Sequence, residues 1–180
     1  GGRVCDVRSP SECASSVSSA ELAMGGIDTL VLSAGIGIIA PISELSVEDF
    51  RDTVEVNLIG AFNLCKIALP MLSKSERADI ILLGSRAGRY AFRGGTAYCA
   101  SKFGIQGLSE ALYLDVVSNN IGVTLVAPGT VDTGFAGEPG ESWHLQADDV
   151  AQAIGGSLVS NARANINWIE LRPSRRGMNC

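Results

Sequence analysis

The chain has 180 residues, one domain's worth, and 46% are hydrophobic, enough to pack a core and too many for a disordered segment. Fourteen basic against nineteen acidic residues give a net charge of −5, and the one basic run is the short Arg172-Pro-Ser-Arg-Arg176, so the electrostatic footprint of a nucleic-acid binder is missing. Five cysteines (5, 13, 65, 99 and 180) and one histidine, His144, form no CxxC pair and no zinc set, so no metal is expected. An odd number of thiols is most simply read as a reducing compartment, the cytoplasm.

In chain order, Gly1-Gly-Arg-Val-Cys-Asp6 reads as the approach to a strand, and Pro10 to Met24 as a helix despite its serines. Ile27-Asp-Thr-Leu-Val-Leu-Ser33 is a short continuous apolar run. The weakly polar stretch Leu30 to Ile42, interrupted by Ser33, two glycines and Pro41, is too short to span a bilayer. Ser46-Val-Glu-Asp49 opens a helix with a capping serine and an acidic first turn, and the pattern continues to about Leu72. Asp79-Ile-Ile-Leu-Leu-Gly84 is a second apolar run, followed by a helix from about Ala97 to Ser118 that closes near Asn119-Asn120. Gly122-Val-Thr-Leu-Val-Ala127, a helix over Asp148 to Ser160 and a last strand, Ile166-Asn-Trp-Ile-Glu-Leu171, complete the chain. The apolar runs are continuous rather than alternating, as in parallel strands covered on both faces. Strands alternating with helices predict an α/β, doubly wound parallel sheet over residues 1–180.

The most informative spacing is Tyr98 and Lys102 in Thr96-Ala-Tyr-Cys-Ala-Ser-Lys102, thirteen residues after Ser85. Four residues is about one helical turn, so a phenol and an ammonium project from one face. A phenol titrates near ~10, and a fixed positive charge beside it stabilises the phenolate and makes it a usable acid/base. Ser85 is placed to hold a substrate oxygen beside it. Ser33-Ala-Gly35, Ser85 and Pro128-Gly129 each follow a strand directly, at the carboxyl rim where open α/β sheets bind ligands. Asn57, among Val56, Leu58 and Ile59, reads as buried and in need of a polar partner.

These residues resemble the classical short-chain dehydrogenases/reductases along essentially the whole chain. The resemblance is carried by Asp6-Val7, Ser33-Ala-Gly35, Val56-Asn-Leu-Ile-Gly60, Gly84-Ser-Arg-Ala-Gly88, Tyr98-Cys-Ala-Ser-Lys102, Pro128-Gly-Thr-Val-Asp-Thr133 and Leu171-Arg-Pro173. It implies a Rossmann-like domain that binds NAD or NADP and moves a hydride between it and a small alcohol or carbonyl substrate. Tyr98 would be the general acid/base, and Lys102 would lower its pKa and hold the nicotinamide ribose. Ser85 would orient the substrate oxygen, and Asn57 would hold a water that links Lys102 to solvent. Asp6 would meet the adenine amino group, Val131 and Thr133 the carboxamide, and Ser33, Ala34, Gly35, Pro128 and Gly129 would shape the cofactor's bed. Relatives commonly assemble through their long helices, which implies a homodimer or homotetramer, with Val54, Leu58, Leu112 and Val116 as facing residues.

Three departures qualify the resemblance. No glycine-rich turn after a first strand is present, so at least ~30 residues, one βαβ unit, are expected ahead of Gly1, and the fragment alone is expected to be inactive. Ser33 stands where the family usually has asparagine. The segment Gly134 to Gln146, with Trp143 and His144, is short for a lid, and Arg86, Arg89 and Arg93 read as solvated surface or, less readily, as a site for an acidic substrate. The alternatives are a nucleotide-sugar epimerase, for which barely 50 residues follow Thr130, a hydrolase, for which Ser85 lacks its elbow motif, and a truncated, non-catalytic reductase-like binding or interaction protein.

Overall fold

A computed structural model of the chain describes residues 1–135, 141–159 and 163–174. Four strands, β1 (Thr29–Leu32), β2 (Ala78–Leu83), β3 (Ile121–Pro128) and β4 (Trp168–Leu171), lie in that order in one sheet, and every neighbouring pair is parallel. The helices are α1 (Pro10–Met24), α2 (Val47–Val54), α3 (Gly60–Leu72), α4 (Thr96–Val116) and α5 (Ala147–Leu158). The predicted doubly wound sheet is therefore present. The predicted end of the last helix at Ser160 lies outside the described residues, as do Arg175 and Arg176 of the basic run and Cys180.

The period of two along each strand sorts the core into two layers. Ile80 and Leu82 of β2, with Val123 and Leu125 of β3, face one way and pack with Cys65, Ala68 and Leu72 of α3 and Ile105 and Val116 of α4. Ile81 and Val126 face the other way, against Val150, Ile154 and Leu158 of α5. Covering both faces is what makes these strands continuous apolar runs.

Local chemistry sets the helix ends. Ser9 caps α1 by accepting from the Glu12 amide, and Gly25, at φ 80°, ends it in the left-handed region that glycine adopts without a Cβ penalty. The Ser46 hydroxyl accepts from the Asp49 amide and donates to its carboxylate. Between α2 and α3 the chain does not break. Residues Glu55–Ile59 form one π-helical turn, closed by the Gly60 amide on the Glu55 carbonyl. Residues 47–72 thus run as one 26-residue helix, long and apolar enough by length and composition to cross a membrane, a feature core helices of soluble proteins share. Here α3 packs against α1, β1 and β2.

Two expectations change. Gly1 to Asp6 forms no strand and Val4 is 95% exposed. A ladder needs a neighbour, and the sheet ends at β1, whose Val31 is 45% exposed. Leu58, Leu112 and Val116 do not face outward for a second subunit, because the helical period turns them into the core. The exposed large apolar residues of those helices are instead Val47, Phe50, Ile59, Phe62, Phe103 and Leu114.

Candidate active site

The carboxyl rim of β2 builds the centre. Its chain leaves Leu83, and Ser85 caps a single 3₁₀ turn, Arg86–Gly88, by accepting from the Ala87 amide at 3.1 Å. That turn lies flat on α4. A Cβ at Gly88 would stand 2.6 Å from the Lys102 carbonyl oxygen, so only hydrogen fits where the two backbones meet. The close approach fixes Ser85 opposite Tyr98, one turn before Lys102 on the same helix. Since Ser85 Oγ already accepts from Ala87, its own proton is available to the phenol.

Tyr98 and Lys102 do share one face, with Nζ 5.7 Å from the centre of the phenol ring. Lys102, however, is 94% buried, and its ammonium donates to the Leu83 carbonyl at 2.8 Å. Burial holds the Lys102 pKa down to about 8. Tyr98 is pushed above its ordinary 10.0, chiefly by burial; the hydrogen bond with Ser85 opposes the rise, and Cys99 adds to it. The expected lowering of the phenol by its lysine is therefore not met in this structure. The helix sets the spacing as predicted, but the end of β2 takes the charge.

Asn57 sits in the π-helical turn, 98% buried. Its Oδ1 accepts from the Ile36 amide at 2.8 Å, and its Nδ2 donates to the Ile36 carbonyl and to Ser101 Oγ, both at 2.9 Å. The partner that burial demanded is thus the backbone just after Gly35. Ser101, wholly buried, passes the connection on by donating to the Tyr98 carbonyl at 2.8 Å. Sequence reasoning missed Ser101 as a site residue. It appears in the quoted motif, and its place three residues after Tyr98, on the side of α4 that faces the helix carrying Asn57, was the available signal.

The remaining expected residues divide. Gly35 joins the centre, since a Cβ there would meet Asn57 Oδ1 at 3.3 Å and Lys102 Nζ at 3.9 Å. Ser33 and Ala34 are exposed at the end of β1. The Gly129 amide donates to the Leu171 carbonyl at 2.8 Å, which ties the turn after Pro128 to β4. Val131 packs into the α5 layer, while Thr133 is exposed. Asp6 lies apart, its carboxylate gripped by Arg8, which also reaches Asp52 at 3.3 Å and whose bond holds the Asp6 pKa down.

Of the three arginines near the rim, Arg89 and Arg93 are exposed, as expected for solvated surface, and Arg86 differs. Arg86 is not simply solvated: it approaches Glu170 at 3.4 Å and stacks over Tyr90, as Arg89 does. Trp143 and His144 form a local turn in which Trp143 Nε1 donates to the Glu141 carboxylate and the Glu141 amide donates to His144 Nδ1. Residues 136–140 of the expected lid lie outside the described residues.

The arrangement fits a polyhydroxylated ligand beside the phenol. Among the described residues the Leu83 carbonyl is the one hydrogen-bond acceptor of the Lys102 ammonium, which has three donors. Among the described residues, two of its N–H groups have no protein acceptor.

Comparison with known proteins agrees with this geometry. The sequence model described as short chain dehydrogenase matches residues 2–142. A 3-dehydrosphinganine reductase of Arabidopsis thaliana is 37% identical over 160 residues, covering 87% of this chain and 48% of the relative. A sepiapterin reductase of Chlorobaculum tepidum is 33% identical over 153 residues, covering 83% and 63%. The closed form of a serine dehydrogenase solved with NADP+ superposes with a TM-score of 0.87 at 27% identity, over 98% of this chain and 78% of that one. The chain thus spans about half to under two thirds of the length of these curated relatives. With a family match over most of its length and a serine, tyrosine and lysine gathered at one sheet rim, the chain belongs to the short-chain dehydrogenase family of oxidoreductases.

Proposed function

We propose that the protein carries out NAD(P)-dependent interconversion of a carbonyl compound and its alcohol, with Tyr98 as the proton donor and acceptor. The observation that carries this is the convergence of Ser85, Tyr98 and a buried Lys102 with donors to spare. The dinucleotide supplies or accepts the hydride when bound. Lys102 would hold its ribose hydroxyls, Gly35 and the neighbouring Ser33 and Ala34 its bed, and Pro128, Gly129, Val131 and Thr133 its nicotinamide end. Asp6 would reach the adenine, although Arg8 already engages its carboxylate.

The chain's own part is position and proton. Ser85 donates to the substrate oxygen and holds it against the phenol, stabilising the charge that develops there. The raised Tyr98 pKa keeps the phenol protonated at neutral pH, ready to donate to that oxygen during reduction. Oxidation of the alcohol needs the phenolate and is therefore favoured by alkaline conditions. Asn57 and Ser101 fix Tyr98 relative to the loop after Gly35. The relatives support the chemistry, two of them being reductases and one a dehydrogenase crystallised with NADP+.

The exposed apolar residues Phe50, Ile59, Phe62 and Phe103 support assembly as a homodimer or homotetramer through the long helices. Sedimentation of the wild type and of Phe62→Glu checks this, and identical monomeric profiles would remove it. For the reaction, the protein as its gene encodes it is mixed with NADH or NADPH and a panel of ketones. Ketone-dependent loss of reduced nicotinamide that Ser85→Ala diminishes is the expected result. No ketone-dependent loss with either dinucleotide would overturn the proposal.

A further inference from the structure

The approach to Tyr98 is walled by large apolar side chains that the fold leaves half exposed. Phe135 lies with its ring centre 5.7 Å from that of Tyr98, tilted by 53°, and is 46% exposed. It reaches that place because residue 37 is glycine: a Cβ there would stand 2.5 Å from the Phe135 ring. On the side where α4 begins, Phe92 is 45% exposed and its ring lies against Gly95, the residue that caps α4 one turn before Tyr98. Ile39, 50% exposed, packs against Gly94, and the Ala40 amide donates to the Gly94 carbonyl at 3.0 Å, so the two loops form one wall. Glycine at 37 and 95 lets the two rings in and adds no polar group.

The nearby cations do not offset this character. Arg86 approaches Glu170 at 3.4 Å, a carboxylate that Arg172 also grips, and both Arg86 and Arg89 lie over the Tyr90 ring. With the Glu170 carboxylate beside it, Arg86 is a poor anchor for a substrate carboxylate. An apolar chain, by contrast, would gain from covering Phe135, Phe92 and Ile39.

We propose that the substrate of this site is a ketone, or the matching alcohol, carrying an extended apolar chain that lies between Phe135 and the wall formed by Ile39 and Phe92. This rests on the carbonyl-reductase reading above, because it takes Tyr98 as the point where the substrate oxygen is held. The reducing equivalent is the reduced dinucleotide already invoked. Phe135 brings this apolar surface to the phenol itself.

The test uses the protein as its gene encodes it, with methyl ketones running from butanone to the octyl homologue, and the 2-oxo acids of matching length. Between short and long methyl ketones kcat/KM is expected to climb by about fourfold per added methylene over the first several, the gain of burying each CH₂. The 2-oxo acids should stay below the methyl ketone of equal length, and Phe135→Ser should flatten the climb. A chain-length-independent series with measurable turnover overturns this inference and leaves the reductase reading intact, as does a preference for the oxo acids. Calorimetry with n-butanol and n-octanol separates the remaining cases. If no ketone turns over but n-octanol binds at least tenfold more tightly than n-butanol, and Phe135→Ser removes the difference, the surface stands and the reductase reading falls. If neither turnover nor chain-length-dependent binding occurs, the inference is refuted.

Discussion

Replacing Gly88 by alanine tests whether the close seat of the Ser85 turn on α4 makes the site. An added Cβ would lie 2.6 Å from the Lys102 carbonyl oxygen and 3.0 Å from its carbon, short of an ordinary contact by up to about 0.8 Å. Both obstructing atoms are backbone in the middle of a helix, so neither can swing away. Overpacking of this kind costs about 1–3 kcal/mol, which for a chain of this size lowers Tm by about 2–12 °C. The turn yields more easily than the helix, so Ser85 is displaced from Tyr98, and a misplacement approaching 1 Å costs on the order of 100-fold in turnover. The control is Gly107→Ala on the same helix, where a Cβ meets nothing within 4 Å. There alanine should stabilise by about 0.5–1 kcal/mol and leave activity alone. Thermal melts and ketone-reduction kinetics on both variants read the result. Wild-type Tm and kcat in Gly88→Ala would refute the reasoning.

Ser101→Ala removes the bridge between Asn57 and the Tyr98 carbonyl and leaves buried polar groups unpaired, at a cost of about 1–3 kcal/mol. Urea denaturation should show that loss, and combining it with Asn57→Ala should give less than the product of the two separate effects on kcat, since both cut one connection. Independent, multiplicative effects would break that link. Lys102 has a folded-state pKa of about 8 against an ordinary 10.5, so between those values the unfolded chain binds more protons than the folded one. Stability from this group therefore rises with pH across that window. The rise should vanish in Lys102→Met, as read by denaturation of both proteins at several pH values. Tyr98, raised from 10.0, pulls the opposite way only in more alkaline solution. Gly60→Ala should loosen the segment around Asp6, because a Cβ there would stand 2.5 Å from Val7 Cγ2. Weaker dinucleotide binding with unchanged kcat is the expected outcome, measured by fluorescence titration.

How much of this was legible depends on how local each cause is. The helix start at Ser46 could be read because its cap lies within three residues of the group it satisfies. The parallel strands could be read because burial on both faces writes itself as unbroken apolar runs. The rim residues followed from the rule that ligands gather where strands end. Less local causes escaped. The π-helical turn has no residue signature, and the bonds that use it join Asn57 to positions 21 and 44 residues away. The direction of Lys102 also escaped, since helical spacing says which face it shares with Tyr98 but not that the last carbonyl of β2 will accept its hydrogen bond. Which apolar residues of the long helices meet the core was misjudged because an apolar residue alone does not mark its face, and Leu58 and Leu112 proved to be inward.

The proposed reaction turns on the phenol of Tyr98 as the group that exchanges a proton with the substrate oxygen. The most direct measurement is steady-state ketone reduction by Tyr98→Phe, beside fluorescence titration of the same variant with NADPH and NADH. Loss of the hydroxyl should cut kcat by about 100- to 10,000-fold, the usual contribution of a positioned acid, while dinucleotide affinity stays within a few-fold of wild type. Turnover within about fivefold of wild type, well short of the loss expected for a removed general acid, would contradict it.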